Sequence, residues 1–398
     1  MKNFDYAIIG SGVVGVSVAY HLKLQNPSAR IIILEKESGP FAHQTSHNSG
    51  VIHAGIYYKS GTLKSKFCIE GMHNTYDFCK KNNIEYNQCG KIISASSDNE
   101  LNWLHNLYEN ADKELLSLKL LTKKQIRSIE PNLQSKEAIY SPKTGIINWS
   151  IFANCLLEKF ITLGGEVIFN YLVSDIEEKD SKVFINQKSN SFLTCNELIS
   201  CGGLQSDRIA NMLGIDPEIK IVPFRGDYYL LKKKFNNLFK HLIYPTPNPR
   251  MPFLGIHFTK MIDGSMTIGP NASINFSREG YKRYSINLND IQDYLSYKGF
   301  WKLIFSNKEF IAKELLTSIS KLFYLKQCHR YYQHISIDDL LPFRAGIRAQ
   351  AVTKKGVPIH DFLLKKVSKC LFILNAPSPA ATSSIPIGKY IVEKYYSN

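Results

Sequence analysis

At 398 residues the chain exceeds the ~250–300 residues at which a single hydrophobic core stops growing, so two domains are expected. Hydrophobic and charged contents of 44% and 21% are those of a globular protein and exclude a disordered one. A net charge of +15 implies either an anionic partner (nucleic acid, an acidic membrane surface or a small acid) or the lysine bias of a chain also rich in Asn, Ile, Ser and Tyr.

The first element is a buried strand ending in Tyr6-Ala7-Ile8-Ile9, which runs into Gly10-Ser11-Gly12-Val13-Val14-Gly15. A helix follows, and a second apolar strand, Ile31-Ile32-Ile33-Leu34, ends on Glu35. Gly10 suits the tight turn, Gly12 lets a pyrophosphate approach the backbone, and Gly15 lets the helix pack on the strand. Phosphates then meet the free N–H groups at the positive end of the helix. Glu35, about 20 residues past Gly15, is placed to accept ribose hydroxyls and to repel a 2′-phosphate, which disfavours NADP. The pattern does not separate NAD from FAD.

Residues 39–61 form a loop dense in Ser, His, Thr and Gly, followed by a helix over Leu63–Lys81. Residues 103–131 read as polar and helical. The apolar spacing of Phe152, Leu156, Leu157 and Phe160 predicts a helix over 149–163, stopped by Gly164-Gly165, with Val167-Ile168-Phe169 as a strand. Leu198 to Ser200 reads as a buried strand ending in the turn Cys201-Gly202-Gly203, with Ser206 and Asp207 as caps for the next helix. Alternating segments over 223–277 predict an antiparallel sheet, and 290–330 reads as helical. Leu371 to Leu374 is a last strand, and a loop from Asn375 leads into a final helix reaching about residue 394.

The eight cysteines (Cys68, Cys79, Cys89, Cys155, Cys195, Cys201, Cys328 and Cys370) show no CxxC pair or metal-ligand spacing, and read as reduced thiols of a cytoplasmic protein. No secretory pattern opens the chain, and no apolar run reaches the ~20 residues that a membrane span needs.

Nucleotide-binding features thus return in N-terminal, central and C-terminal pieces. The expected fold is α/β: a Rossmann-like dinucleotide-binding domain over 1–85, 141–215 and 338–398, which the resemblance that follows implies to be FAD-binding and of the glutathione-reductase type, with an inserted α+β substrate domain built on an antiparallel sheet over 86–140 and 216–337. With His47-Asn48-Ser49-Gly50-Val51-Ile52-His53-Ala54-Gly55-Ile56-Tyr57-Tyr58, this arrangement resembles the D-amino-acid-oxidase and glycerol-3-phosphate-dehydrogenase superfamily of FAD enzymes. More narrowly it is similar to the L-2-hydroxyglutarate dehydrogenase/oxidase family, through Val222 to Tyr229, Pro252-Phe253-Leu254-Gly255-Ile256-His257-Phe258-Thr259, Gly269 to Ala272, Arg278 to Tyr281, Gly346-Ile347-Arg348-Ala349-Gln350 and Asn375 to Thr382. The superfamily's usual Gly-Leu-Arg-Pro is here Gly346-Ile347-Arg348-Ala349, and its glycine-rich flavin loop is Pro377-Ser378-Pro379-Ala380; both match the narrower family.

The resemblance implies FAD as cofactor and oxidation of L-2-hydroxyglutarate to 2-oxoglutarate by hydride transfer to flavin N5. Electrons would pass to oxygen or to a quinone of a respiratory chain. Another 2-hydroxy acid, an amine or glycerol 3-phosphate is the alternative donor. A flavin-bearing RNA-binding or tRNA-modifying protein is a third reading, motivated only by the charge; no nucleic-acid partner is expected.

For a small dicarboxylate 2-hydroxy acid, arginine is the suited anchor, because its planar fork binds carboxylate through two hydrogen bonds. Arg348 takes the place of the superfamily's carboxylate arginine, and Arg225 and Arg344 are candidates for the second carboxylate or for ordinary ion pairs. Histidine suits the base that takes the hydroxyl proton. His257 is assigned that role and His53 a place beside the flavin, with the exchange left open, and Tyr57 and Tyr228 are candidate donors to substrate oxygen. Implied cofactor contacts are Gly10, Gly12, Val14, Gly15, Glu35, Lys36, Thr45, Ser46, Asn48, Ser49, Val173 (backbone to adenine), Cys201, Gly202, Gly346 and Arg348. To these the helix expected after Pro379 adds Ala380, Ala381, Thr382 and Ser383. The basic, aromatic stretch from Lys298 to Lys326 is either an interfacial helix, suiting a peripheral position on the inner face of a membrane, or a core helix of the second domain.

Overall fold

The computed structural model describes residues 2–188, 192–249 and 254–397. Its first sheet has eight strands drawn from three distant parts of the chain. Strand Lys2–Ile9 pairs in parallel with Ile31–Leu34 on one side and with Phe192–Ser200 on the other. Glu166–Ile168 extends the first side, and Cys370–Asn375 pairs in parallel with Phe192–Ser200. Ile31 to Leu34 are all buried, as expected of a parallel strand covered on both faces. Helix Val13–Gln25 packs between the sheet and the C-terminal helix Ser384–Tyr396.

The second large sheet is mostly antiparallel and also has eight strands, in the order Leu340–Pro342, Tyr229–Leu231, Met266–Gly269, His257–Lys260, Leu242–Pro245, Lys91–Ala95, Glu137–Ser141 and Lys119–Thr122. A separate three-stranded sheet pairs Ile219–Gly226 with Gly346–Thr353 on one side and with Ser273–Ile274 on the other. Four helices, Leu288–Leu295, Lys298–Ser306, Lys308–Ile319 and Lys321–Cys328, fill the stretch read as helical.

Local signals explain the element ends. The Asn148 side chain accepts from the N–H groups of Ser150 and Ile151 to start helix Trp149–Thr162, and Gly164 turns the chain at φ +85°. Three expectations need correction. Residues 103–131 are not one helix: helix Asp98–Asn110 is followed by strand Lys119–Thr122, because pairing with Glu137–Ser141 overrides local helical preference. Ser206 and Asp207 do not cap their helix. Ser206 Oγ donates to the Leu374 carbonyl, and the Asp207 carboxylate is bound by the buried Arg278 guanidinium and by the Ile221 N–H. The last helix becomes regular only at Ser384; 380–383 form a turn closed by the Ser383 N–H on the Pro379 carbonyl at 3.0 Å.

Among the described residues no helix is long and apolar enough to cross a membrane. Pro252 and Phe253 lie outside the described residues.

Candidate active site

Gly10, Glu35 and Cys201 each follow the carboxyl end of one of three adjacent parallel strands, where the chain order of the sheet reverses and open α/β sheets take their ligands. A cavity of about 950 Å³ begins there and extends to strands of the second sheet. A Cβ on Gly15 would meet the Gly10 carbonyl oxygen at 2.1 Å, so only glycine lets the helix sit so close to the strand. A Cβ on Gly12 would meet only Thr45 Oγ1, at 3.6 Å. Its outer side is therefore open, at the start of a helix whose N-cap residue, being glycine, offers no side chain of its own. Ser11 donates through both N–H and Oγ to Glu35 Oε2, at 2.9 and 2.7 Å, and the Glu37 N–H donates to Oε1 at 3.0 Å. Those bonds tie the glycine turn to the second strand and orient the carboxylate.

The loop that follows holds itself together. Thr45 Oγ1 accepts from the Val13 N–H at 3.0 Å, and the Asn48 side chain bridges the Gln44 and Thr45 carbonyls to the Gly50 N–H. A clasp formed by Glu279 and Tyr281 reaches this end of the cavity. Glu279 bonds Lys36 Nζ at 2.8 Å, and the Tyr281 ring lies 4.1 Å from that of His47.

At the far end the cavity is lined by His53, Tyr57, Tyr228, Tyr244, His257 and Arg348. His257, on strand His257–Lys260, has Nδ1 3.2 Å from the Gly255 carbonyl, and its ring stacks on Tyr244 at 3.8 Å. His53 follows strand Val51–Ile52, and its N–H donates to Thr382 Oγ1 at 3.2 Å. Burial, with the charges of Lys91 and His257 adding to it, pushes His53 down to about 3. Burial likewise holds His257 at about 3, assisted by Arg348 and Lys91. Both imidazoles are therefore neutral at ordinary pH and able to accept a proton. Burial raises the Tyr228 hydroxyl to about 12, so it remains a donor. Arg348 lies on strand Gly346–Thr353, with Nη1 3.3 Å from the Asn271 carbonyl.

Two expected anchors are absent from the cavity. Arg225 is the neighbour of Phe224, the residue paired with Arg348, so strand alternation sends its side chain to the opposite face. There it binds Asp227 and the carbonyls of Gly280, Tyr281 and Lys282, fastening the clasp. Arg344 is exposed, its guanidinium over the Phe343 ring. Ser46 and Ser383 also do not line the cavity; Ser46 Oγ is spent on the Phe41 carbonyl at 2.6 Å. Every other expected cofactor position, from Gly10 to Thr382, does line it, although Lys36 is engaged by Glu37 and Glu279 and the Thr382 hydroxyl by the 51–53 loop.

Lining residues that sequence reasoning missed include Lys64, Arg208, Tyr244, Glu279 and His360. Arg208 sits in the helix after the Gly202-Gly203 turn, a readable signal. Glu279 lies in the segment Arg278 to Tyr281 that carries the resemblance, whereas nothing local marks Tyr244, which arrives from the second large sheet.

Residues 5–394 match the family model described as FAD dependent oxidoreductase. The L-2-hydroxyglutarate dehydrogenase of Escherichia coli (strain K12) is 42% identical over 98% of this chain and 93% of its own length. The chain belongs to the L-2-hydroxyglutarate dehydrogenase family of FAD-dependent oxidoreductases. A mitochondrial member of that family from Nematostella vectensis is 40% identical over 99% of this chain and 90% of its own. Among solved structures, the L-alpha-glycerophosphate oxidase from Mycoplasma pneumoniae, with FAD bound, superposes with a TM-score of 0.80 at 18% identity, covering 99% of this chain and 94% of that one. The family's cofactor is FAD, and the residues present fit it. The open side of Gly12 leaves room for a pyrophosphate at the helix end, the oriented Glu35 carboxylate lines the cavity where it would accept from ribose hydroxyls, and the same cavity reaches the histidines.

Proposed function

We propose that this chain oxidises L-2-hydroxyglutarate to 2-oxoglutarate. The observation that supports this most directly is the meeting of Arg348, His53 and His257 on the same cavity as the dinucleotide cradle. Gly10, Gly12, Val14, Gly15, Glu35, Thr45 and Val173 would hold the adenosine and pyrophosphate, while Gly346 and 379–382 would lie along the ring. The cofactor domain is assigned to 1–85, 141–215 and 338–398. Bound FAD supplies the acceptor for the Cα hydrogen and its electron pair.

The chain's own residues do the rest. Arg348 binds the carboxylate next to the alcohol carbon through its guanidinium fork. With Arg225 and Arg344 outside the cavity, Lys64 is the cation offered to the second carboxylate. It lines the cavity over the Tyr58 ring, 4.6 Å from its centroid, and burial lowers it to about 8, so an anion beside it is favourable. His257 takes the hydroxyl proton as the C–O bond becomes a carbonyl. His53, tied to the Thr382 turn, orients the alcohol, and the Tyr228 hydroxyl donates to substrate oxygen.

Anaerobic addition of L-2-hydroxyglutarate to flavin-loaded protein tests the reading: loss of the flavin's visible absorbance supports it, and unchanged absorbance rejects it. Faster bleaching with an amine, glycerol 3-phosphate or another hydroxy acid would move the assignment to that donor.

The reading extends to the electron acceptor, a quinone held in an anionic membrane. Tyr284, Ile286, Leu288, Phe305, Ile319 and Leu322 are each more than 60% exposed on or beside the four helices, among many lysines. Exposed apolar groups flanked by cations suit a membrane surface better than water. Co-sedimentation with anionic but not zwitterionic vesicles, lost on Phe305→Glu, is the expected result; failure to sediment with anionic vesicles would reject the membrane-held quinone.

A further inference from the structure

A carboxylate from outside the cavity reaches the turn that holds Arg348. Helix Lys308–Ile319 packs on strand Ser273–Ile274 with Phe310, Glu314 and Thr317 along its inner face, while Leu315, Leu316 and Ile319 are exposed. Glu314 thus stands where helical spacing calls for an apolar residue. Its Oε2 accepts from the Ala272 N–H at 2.6 Å. The carbonyl of the same peptide unit, that of Asn271, accepts from Arg348 Nη1 at 3.3 Å. This peptide is trans, so its N–H and C=O point in opposite directions, and Glu314 and Arg348 grip one plane from its two ends. The Asn271 side chain ties the turn a second time, its Oδ1 accepting from the Asp227 N–H at 2.7 Å. Ser318, the next residue on the helix to reach this turn, donates to Asp227 Oδ2 at 2.8 Å. Arg348 lines the cavity; Glu314, Asn271 and Ala272 do not.

We propose that Glu314 is a positioning residue of the oxidation: by holding the 271–272 peptide it sets the angle at which the Arg348 guanidinium meets the substrate carboxylate. The inference rests on the reading of Arg348 as the carboxylate anchor. A guanidinium binds a carboxylate through two parallel hydrogen bonds only when the planes of the two groups match, and a donor committed to a fixed carbonyl sets that plane. Without Glu314 the Ala272 N–H must find another acceptor, and any rotation of the peptide that provides one turns the Asn271 carbonyl away from Arg348. The carboxylate also polarises the peptide, since an N–H that donates to an acceptor leaves its own carbonyl a stronger one. Satisfying a buried N–H is by itself a structural role; what Arg348 does at the other end of the peptide makes it a functional one. Glu314 does not reach the cavity, so it acts on substrate binding through Arg348 and leaves the proton and hydride steps to the residues there.

The test is steady-state kinetics of flavin-loaded Glu314→Met and Glu314→Gln with L-2-hydroxyglutarate. Glu314→Met, of similar length but without an acceptor, should raise KM about tenfold and change kcat by about twofold at most, because what weakens is the hold of Arg348 on the carboxylate. Glu314→Gln, whose amide oxygen still accepts from Ala272, should stay within about twofold of wild type. A purely structural glutamate would alter melting temperature or flavin content and leave KM in place, and an unchanged KM in flavin-loaded Glu314→Met overturns the proposal. The same substitution made in Arg348→Lys separates action through Arg348 from any other. There Glu314→Met should raise KM by about twofold at most, and a full tenfold rise in that background overturns the proposal as well. Should Glu314→Met not fold, Glu314→Asp takes its place, its carboxylate one methylene short of the Ala272 N–H; it should raise KM in the same way, and an unchanged KM overturns the proposal. Wild type inert towards L-2-hydroxyglutarate would sink both this role and the functional reading, whereas an active wild type with KM unmoved in the variants sinks only the role of Glu314.

Discussion

The imidazole of His257 lies almost parallel to the ring of Tyr244, centroids 3.8 Å apart and planes inclined by 26°. The stack comes from two neighbouring antiparallel strands and fixes the plane of a histidine whose Nδ1 is already turned to the Gly255 carbonyl. Nε2 is thereby the nitrogen left for a proton from substrate.

His257→Asn should slow substrate-driven flavin bleaching by roughly a hundredfold or more, the usual worth of a positioned general base. His53→Asn should raise KM and slow bleaching less. Stopped-flow reduction of the two variants separates the roles, and a larger loss in His53→Asn would exchange them.

Arg348→Lys should cost about 1.5–3 kcal/mol in kcat/KM, the range of a hydrogen bond to a charged group, because an ammonium cannot replace the two-pronged contact. Arg225→Lys should leave kcat nearly unchanged and instead loosen the clasp, read as faster FAD release. Comparable losses of kcat/KM in both would contradict the separation of the two arginines onto opposite faces.

Gly12→Ala should fold with near wild-type thermal stability, since its Cβ has room, yet purify with little flavin because the methyl occupies the phosphate approach. Gly15→Ala should destabilise the fold itself, as its Cβ would sit 2.1 Å from the Gly10 oxygen. Flavin-to-protein absorbance and melting temperature together distinguish the two.

Burial of His53 and His257 links stability to pH. Their pKa values drop from the usual 6.5 to about 3, so the unfolded chain binds protons that the folded one refuses. Stability is full above pH 6.5 and declines as pH falls towards 3, by up to about 1.4 kcal/mol per unit for each histidine. Denaturant titrations of the double variant His53→Asn/His257→Asn should show a flatter profile between those limits.

Asp207→Asn should cost about 1.5–3 kcal/mol of stability, the range of a hydrogen bond to a charged group, because the wholly buried Arg278 guanidinium keeps Asp293 at 2.7 Å but loses the charge of its partner on helix Ser206–Met212. Thermal unfolding measures it.

The glycine turn, Glu35 and the first two strands were legible in the sequence because they form one continuous local unit whose spacing is set by the turn and the helix length. Arg348, His53 and His257 were legible through the motif resemblance. The sequence by itself thus determined the fold class, the cofactor cradle and the chemical types needed at the reacting end. Only the tertiary structure decided which cations face that end. Arg225 was lost because strand alternation gives neighbouring residues opposite faces, and its partners are carbonyls of a loop more than 50 residues away. Tyr244 and Lys91 meet Tyr57 only because strands Leu242–Pro245 and Lys91–Ala95, about 150 residues apart in the chain, pair in one sheet. Periodicity tells which side of a strand is buried; what it is buried against is settled by the pairing of distant strands.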